Sequence, residues 1–153
     1  MITSFDVSDL SDLNTMIHST IDYSYPTVYP GRAVIFFKEY HSEKKILDRY
    51  QKGKVLVIKN NDSIVATGSI VENEISGVFV APANQGSGLG QSIMSELEHL
   101  AKEMGVSEIE IHSSLPAKQF YQKLNYTLLA KAHLDVGDGQ HLEYWPGTKI
   151  IVP

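Results

Sequence analysis

The chain has 153 residues, 42% of them hydrophobic, which is enough to bury a real core and makes one domain over residues 1–153 the expectation. It contains no cysteine, so disulfides, a thiolate nucleophile and a cysteine-type zinc site are excluded. A formal net charge of −5 argues against a nucleic-acid surface and mildly favours a cationic small molecule or peptide.

The N-terminal stretch Met1–Asp6 carries no basic lead or apolar signal core, and no run approaches the ~20 apolar residues that span a bilayer. A soluble cytoplasmic protein that engages no membrane is the expectation. Residues 1–6 read as a first strand. Leu10, Leu13, Ile17 and Ile21 then follow helical spacing, with Asp6 or Ser8 placed to cap. The stretch Tyr23-Ser24-Tyr25-Pro26-Thr27-Val28-Tyr29-Pro30-Gly31 reads as a loop, and helices are expected near 33–40 and 43–51. Strands follow at 54–59 and 63–71, joined by a turn at Asn60-Asn61-Asp62, and a tight turn at Glu72-Asn73 returns the chain into a strand over 75–80. Gly77 inside that strand marks either a bulge or a poor strand residue tolerated on one face.

The strand ends at Ala81-Pro82, and Gly86, Gly88 and Gly90 then place three glycines in five positions. Beyond them Leu89, Ile93, Leu97, Leu100, Ala101 and Met104 are spaced as one helical face. A helix that opens on such a loop presents unpartnered amides and the positive end of its dipole, a natural seat for pyrophosphate. A P-loop would need Gly-Lys-Ser/Thr, whereas Gly90 is followed by Gln91-Ser92, so that option is rejected. A dinucleotide fingerprint would need a third glycine where Gln91 stands, although Glu108 and Glu110 lie roughly twenty residues on, where the ribose ligand of that fingerprint belongs. A tight strand-to-helix turn with no ligand is the plain alternative.

Ile109 to Tyr126 reads as a strand, a short helix and the start of the next strand. Ser113 or Ser114 is placed to cap, Pro116 suits the first turn, and Lys123 suits the last. Asn125 stands where a left-handed residue is needed after the helix. Residues 127–136 and 141–152 read as the final strands, separated by Gly137-Asp138-Gly139.

The pattern Gln85-x-x-Gly88-x-Gly90 after a strand, with Ala117-x-x-Phe120-Tyr121-x-Lys123-x-Asn125-Tyr126 downstream, resembles the GCN5-related N-acetyltransferase (GNAT) superfamily. That family carries Q/R-x-x-G-x-G/A and A-x-x-F-Y-x-K-x-G-F/Y in the same order, so Asn125 for glycine is the departure. The resemblance runs from about Val55 to Tyr126. It implies an α/β sandwich: a mixed, mostly antiparallel sheet, helices on both faces, and two central strands that splay apart to admit acetyl-CoA.

On that resemblance, Val78, Phe79 and Val80 supply backbone contacts to the pantetheine arm. Gln85, Gly86, Ser87, Gly88, Leu89, Gly90 and Gln91 form the pyrophosphate loop, and Ser114 takes the place of a cofactor-binding asparagine. Tyr121 matches the tyrosine near the cofactor sulfur; its other reading is a half-buried packing aromatic. Glu74 lies eleven residues before Gln85, the offset of the family's strand glutamate base. His112 is a second candidate base on its intrinsic pKa. The remaining histidines, His18, His41, His99, His133 and His141, are too scattered to suggest a metal site.

The implied activity is direct acetyl transfer from acetyl-CoA to a primary amine of a small molecule or peptide in a ternary complex. The alternative is an acyl-CoA binder with little catalysis that acts through a partner. Tyr23, Tyr25 and Tyr29 are candidates for the acceptor wall or for a packed clamp, and Trp145 beside Pro146 for that wall or a homodimer interface.

Overall fold

In the computed structural model, which describes residues 1–152, strand β1 (Ile2–Ser4) leads into a short 3-10 turn that Asp6 caps by accepting from the Ser8 amide at 2.9 Å. Asp9 returns the bond to the Asp6 amide at 3.1 Å and completes a capping box before helix α1 (Leu10–Ser24). Ser8 does not cap. Its hydroxyl donates to Asp6 instead. Helices α2 (Gly31–Tyr40) and α3 (Glu43–Lys52) follow, α3 capped by the Ser42 side chain.

Strands β2 (Lys54–Asn60), β3 (Ser63–Val71) and β4 (Glu74–Val80) form an antiparallel meander. Asn61, Asp62 and Glu72 hold positive φ in its two turns, as the sequence demanded. Helix α4 (Leu89–Glu103) and strand β5 (Glu108–Ser113) carry the chain across the sheet, and α5 (Lys118–Lys123) follows after a proline-marked 3-10 turn. Neither Ser113 nor Ser114 caps this helical stretch. The Leu115 amide takes the Tyr29 hydroxyl as its acceptor, at 2.8 Å.

The expected strand over 127–136 breaks into β6 (Thr127–Leu128) and β7 (Ala132–Gly137), both antiparallel to the long β8 (Gln140–Ile150). The eight strands run β1-β2-β3-β4-β5-β8-β6 with β7 also on β8, and β4–β5 is the parallel pair. On one face α4 and α5 bury Ile93, Met94, Leu97, Ala101 and Tyr121. Each large apolar side chain there contributes about 1.5–3 kcal/mol by leaving water. Met104, expected on the same face, is 47% exposed at the helix end. On the other face α1 and its neighbours bury Leu13, Ile17, Ile21, Ala33 and Ile46 against Val55, Val57 and Phe79.

Two features open the sheet. Gly77 takes φ +63° at a bulge where β3–β4 pairing shifts between Thr67 and Ser69, so the bulge reading of Gly77 holds. Between β4 and β5 the register is a single pair, Glu74 with Glu110. Beyond it the two strands diverge and leave the β5-facing edge of β4 unpaired.

Candidate active site

The divergence of β4 from β5 makes a cleft, and a cavity of about 380 Å³ lies in it. Its floor is β4, with Glu74, Ser76, Gly77, Val78 and Phe79 on the lining. His112, Ser114, Ala117 and Tyr121 close the side toward β5 and α5. Tyr25, Phe36, Phe37, Tyr40 and His41 face it from the helical layer, and Leu134, Leu142 and Tyr144 from the β7–β8 hairpin.

Glu74 and His112 come from elements 38 residues apart and meet at the vertex of the splay, with Nδ1 of His112 3.1 Å from Oε2 of Glu74. A carboxylate only accepts, so Nδ1 carries the proton and the neutral ring keeps its lone pair on Nε2. The hydrogen bond to Glu74 raises the His112 pKa above its ordinary value, outweighing partial burial; the charges of Glu74 and Glu110 add to the rise. Tyr144 packs its ring edge-to-face on the imidazole, centroids 5.4 Å apart, and fixes its plane. Both side chains remain partly solvent-exposed, at 50% for His112 and 37% for Glu74.

Tyr121 is 7% exposed and faces the cavity from α5. Burial raises its pKa, and the neighbouring Tyr25 raises it further, so the phenol keeps its proton throughout the neutral range. Tyr25 is the second buried phenol on the lining. Tyr29, by contrast, is the clamp: it accepts from the Leu115 amide and donates to the Glu143 carbonyl at 2.9 Å, tying the α1–α2 loop to β8 and to the segment before α5. Tyr23 is 69% exposed and stands away from the cavity.

At the far end of β4 the glycine loop has the conformation its sequence demanded. Gly86 and Gly88 hold φ of +81° and +86°, and Gly88 is the left-handed N-cap of α4. The first helical bond runs from the Ser92 amide to the Gly88 carbonyl, so the amides of Leu89, Gly90 and Gln91 have no intrahelical partner. Gln85 folds back and donates to the Val80 carbonyl at 3.0 Å, and Ser87 donates to the Asn84 carbonyl at 2.6 Å; these bonds fix the turn. Gly90 is buried, and a Cβ there would stand 3.0 Å from the Phe120 ring. An anion on the loop and a group at Glu74 are separated by the length of β4, about 20 Å at the rise of a strand.

Several participants carry no local sequence signal. His41 is 6% exposed and lines the cavity, with Nδ1 unpartnered; burial, then Arg49 and His18, push its pKa down to about 3, so it is neutral. Arg49 lies behind the Gly77 bulge, its guanidinium 3.2 Å from where a Cβ on Gly77 would stand and 3.4 Å from the Tyr40 carbonyl. Trp145 does not line the cavity. Its neighbour Tyr144 does, because successive strand residues face opposite sides, and Trp145 stacks under Lys118, 4.6 Å from the ring centroid. Among the described residues no group of three or more His, Cys, Asp or Glu side chains is arranged to hold a metal ion. No helix among them is long and apolar enough to cross a membrane.

This geometry has close counterparts. A GCN5-related N-acetyltransferase from Rhodopseudomonas palustris superposes with a TM-score of 0.88 at 18% identity, covering 99% of this chain and 95% of that one. The PaiA N-acetyltransferase of Thermoplasma acidophilum, solved in complex with coenzyme A, does so with a TM-score of 0.77 at 16% identity, covering 99% and 98%. In sequence, an uncharacterized acetyltransferase of Streptococcus pyogenes is 28% identical over 87 residues, which is 54% of this chain and 60% of that protein. The chain thus spans about 60% of that relative's length. The acetyltransferase (GNAT) domain pattern matches residues 21–135, from the end of α1 into β7, and the chain belongs to that family.

Proposed function

We propose that residues 1–153 act as one catalytic domain that moves an acetyl group from acetyl-CoA directly to a primary amine. The observation that carries this reading is the alignment of three features along β4: the left-handed glycine loop at one end, the unpaired strand edge beside it, and the Glu74–His112 pair at the other. A solved relative of the same fold holds coenzyme A, which supports the cofactor assignment.

The amides from Gly86 to Gln91 take the pyrophosphate, and the unpaired edge of Val78, Phe79 and Val80 pairs with the pantetheine arm as an added strand would. Ser114, on the lining opposite, contributes a hydroxyl contact. The thioester then reaches Tyr121 and the acceptor reaches His112.

An alkylammonium with a pKa of about 10.4 must lose its proton to attack, which costs about 4–5 kcal/mol at pH 7. His112, neutral and held by Glu74, accepts that proton on Nε2 and passes it to solvent. The amine nitrogen attacks the thioester carbonyl and the C–N bond forms; as the C–S bond breaks with its electron pair leaving on sulfur, the nitrogen sheds its second proton to solvent water. The phenol of Tyr121 hydrogen-bonds the departing thiolate, which is finally protonated by water. With its pKa raised by burial, Tyr121 is a better donor of a hydrogen bond than of its proton.

The test is calorimetry with acetyl-CoA followed by thiol release against a panel of amines. Binding with release is expected, and Tyr121→Phe lowers kcat about tenfold, the worth of one charge-assisted hydrogen bond, with cofactor affinity intact. Binding without release from any amine supports the non-catalytic binder instead. Absence of binding overturns the reading.

A further inference from the structure

The cavity walls carry a record of the acceptor. Beside the thioester end, near Ser114, Ala117 and Tyr121, the lining away from β4, Tyr25, His41 and His112 is formed by rings and aliphatic groups: Phe36, Phe37 and Tyr40 of α2, Leu134 and Leu142 of the hairpin, and Tyr144. No lysine or arginine is among the lining residues, and the carboxylate there is Glu74. His41 adds no charge, since burial keeps it neutral. Arg49 is not among the lining residues; its guanidinium lies against the Gly77 backbone, 3.4 Å from the Tyr40 carbonyl.

Such a wall presents no lysine or arginine side chain of its own to an anion, and Arg49, whose charge acts on Tyr40, His41 and Glu74, lies outside the lining. An acceptor carboxylate placed next to the amine would lie against Glu74 and be desolvated without compensation. A second ammonium farther along would likewise meet no carboxylate. Phe37 meets Tyr25 edge-to-face at 4.8 Å, and Phe36 lies 6.2 Å from Tyr40, so these rings pack on one another as an apolar wall.

The Arg32 amide at the start of α2 donates to the Gln140 side chain at 2.8 Å, and Arg32 pairs with Asp138 at 3.5 Å, so α2 is joined to the β7–β8 turn, and both elements contribute to the lining. A volume of about 380 Å³, shared with the acetyl-pantetheine end, is of the size of a small-molecule site.

We infer that the acceptor is a small primary monoamine with an apolar, preferentially aromatic body and no carboxylate, its nitrogen at Glu74–His112 and its body against Phe36, Tyr40 and Tyr144. This rests on the acetyl-transfer reading, and the test separates the two. With acetyl-CoA saturating, kcat/KM is measured for 2-phenylethylamine, for phenylalanine, for spermidine and for a tripeptide with a free N-terminus. The phenylethylamine value is expected to exceed each of the others at least tenfold. In Phe36→Ser its KM is expected to rise at least fivefold while calorimetric affinity for acetyl-CoA is unchanged.

A preference for phenylalanine, spermidine or the tripeptide overturns the inference and leaves the transferase reading standing, as does a Phe36→Ser enzyme with unaltered KM. If acetyl-CoA binds but none of the four amines is acetylated, the inference falls. If acetyl-CoA does not bind at all, both fall together.

Discussion

The glycine loop follows the end of β4, the cavity runs along the strand from Glu74 to Phe79, and the two are built on opposite principles. The loop is a local object: Gly86 and Gly88 hold backbone angles that side chains resist, and every group offered to a ligand comes from one continuous segment. The cavity is assembled from α1, α2, β4, β5, α5 and the β7–β8 hairpin, and its lining runs from Tyr25 to Tyr144. A cofactor that never changes can be met by backbone amides fixed in sequence. An acceptor is met by side chains, which the same fold can exchange without disturbing the sheet.

The sharpest way to break this contrast is at the Glu74–His112 pair, where the proposed mechanism puts the proton transfer. His112→Gln is expected to lower kcat by about 10²–10⁴, the usual worth of a general base, with acetyl-CoA affinity unchanged. In the unmodified enzyme kcat/KM should fall as pH drops through the His112 pKa, which Glu74 holds above its ordinary value. The groups facing that ring are Glu74 from β4, Glu110 on its own strand and Tyr144 from β8, so both carboxylates act in the same direction. Glu74→Gln is expected to move the acid limb of the profile to lower pH. An unmoved limb would assign the titration to another group. The same pair ties stability to pH: the His112 contribution is complete below the unfolded value of about 6.5 and fades as pH rises through the raised folded one.

The other end of the strand should respond in the complementary manner. Gly88→Val is expected to weaken coenzyme A binding roughly 100-fold, because a β-branched residue resists the left-handed angle and two charge-assisted hydrogen bonds are lost. No neighbouring atom lies within 4 Å of a Cβ at Gly88, so the effect is conformational and the fold itself should persist by circular dichroism. Unchanged affinity would refute the loop assignment.

The same contrast decides what could be read in advance. The loop and the left-handed Asn125 were legible because each is a backbone requirement that few residue types meet, whereas Gly77 left a bulge and a tolerated strand glycine open until the β3–β4 register was known. The amphipathic faces of α1 and α4 were legible from spacing, down to Ile17 and Ile93 at the bottom of the two cores. Glu74 and His112 were visible separately, but nothing local says that a single register pair, Glu74 with Glu110, brings them together. The break of the strand after Leu128 follows from pairing with β8, and the split of Tyr144 from Trp145 follows from the pleat. Phe36, Tyr40 and His41 gave no signal at all, since an aromatic on a helix reads as core until the partner surface is known.

The mildest prediction concerns the contact between α2 and the β7–β8 turn. Helix α2 has Pro30 at its N-cap position and no side-chain cap of its own, and the missing acceptor is supplied from the other end of the chain by Gln140, at 2.8 Å from the Arg32 amide. Gln140→Ala removes that remote cap at a cost of about 1 kcal/mol, or about 2–4 °C in Tm for a chain of this size. The Arg32–Asp138 ion pair, with both partners well exposed, will not replace it. Because α2 carries Phe36, Phe37 and Tyr40 into the cavity, the loosened helix should raise the acceptor KM several-fold while the glycine loop and its cofactor affinity stay as they were. A variant whose acetyl-CoA affinity fell in step with its acceptor KM would mean that the two ends of β4 are one mechanical unit, and that the division between a fixed cofactor end and an exchangeable acceptor end does not hold in this protein.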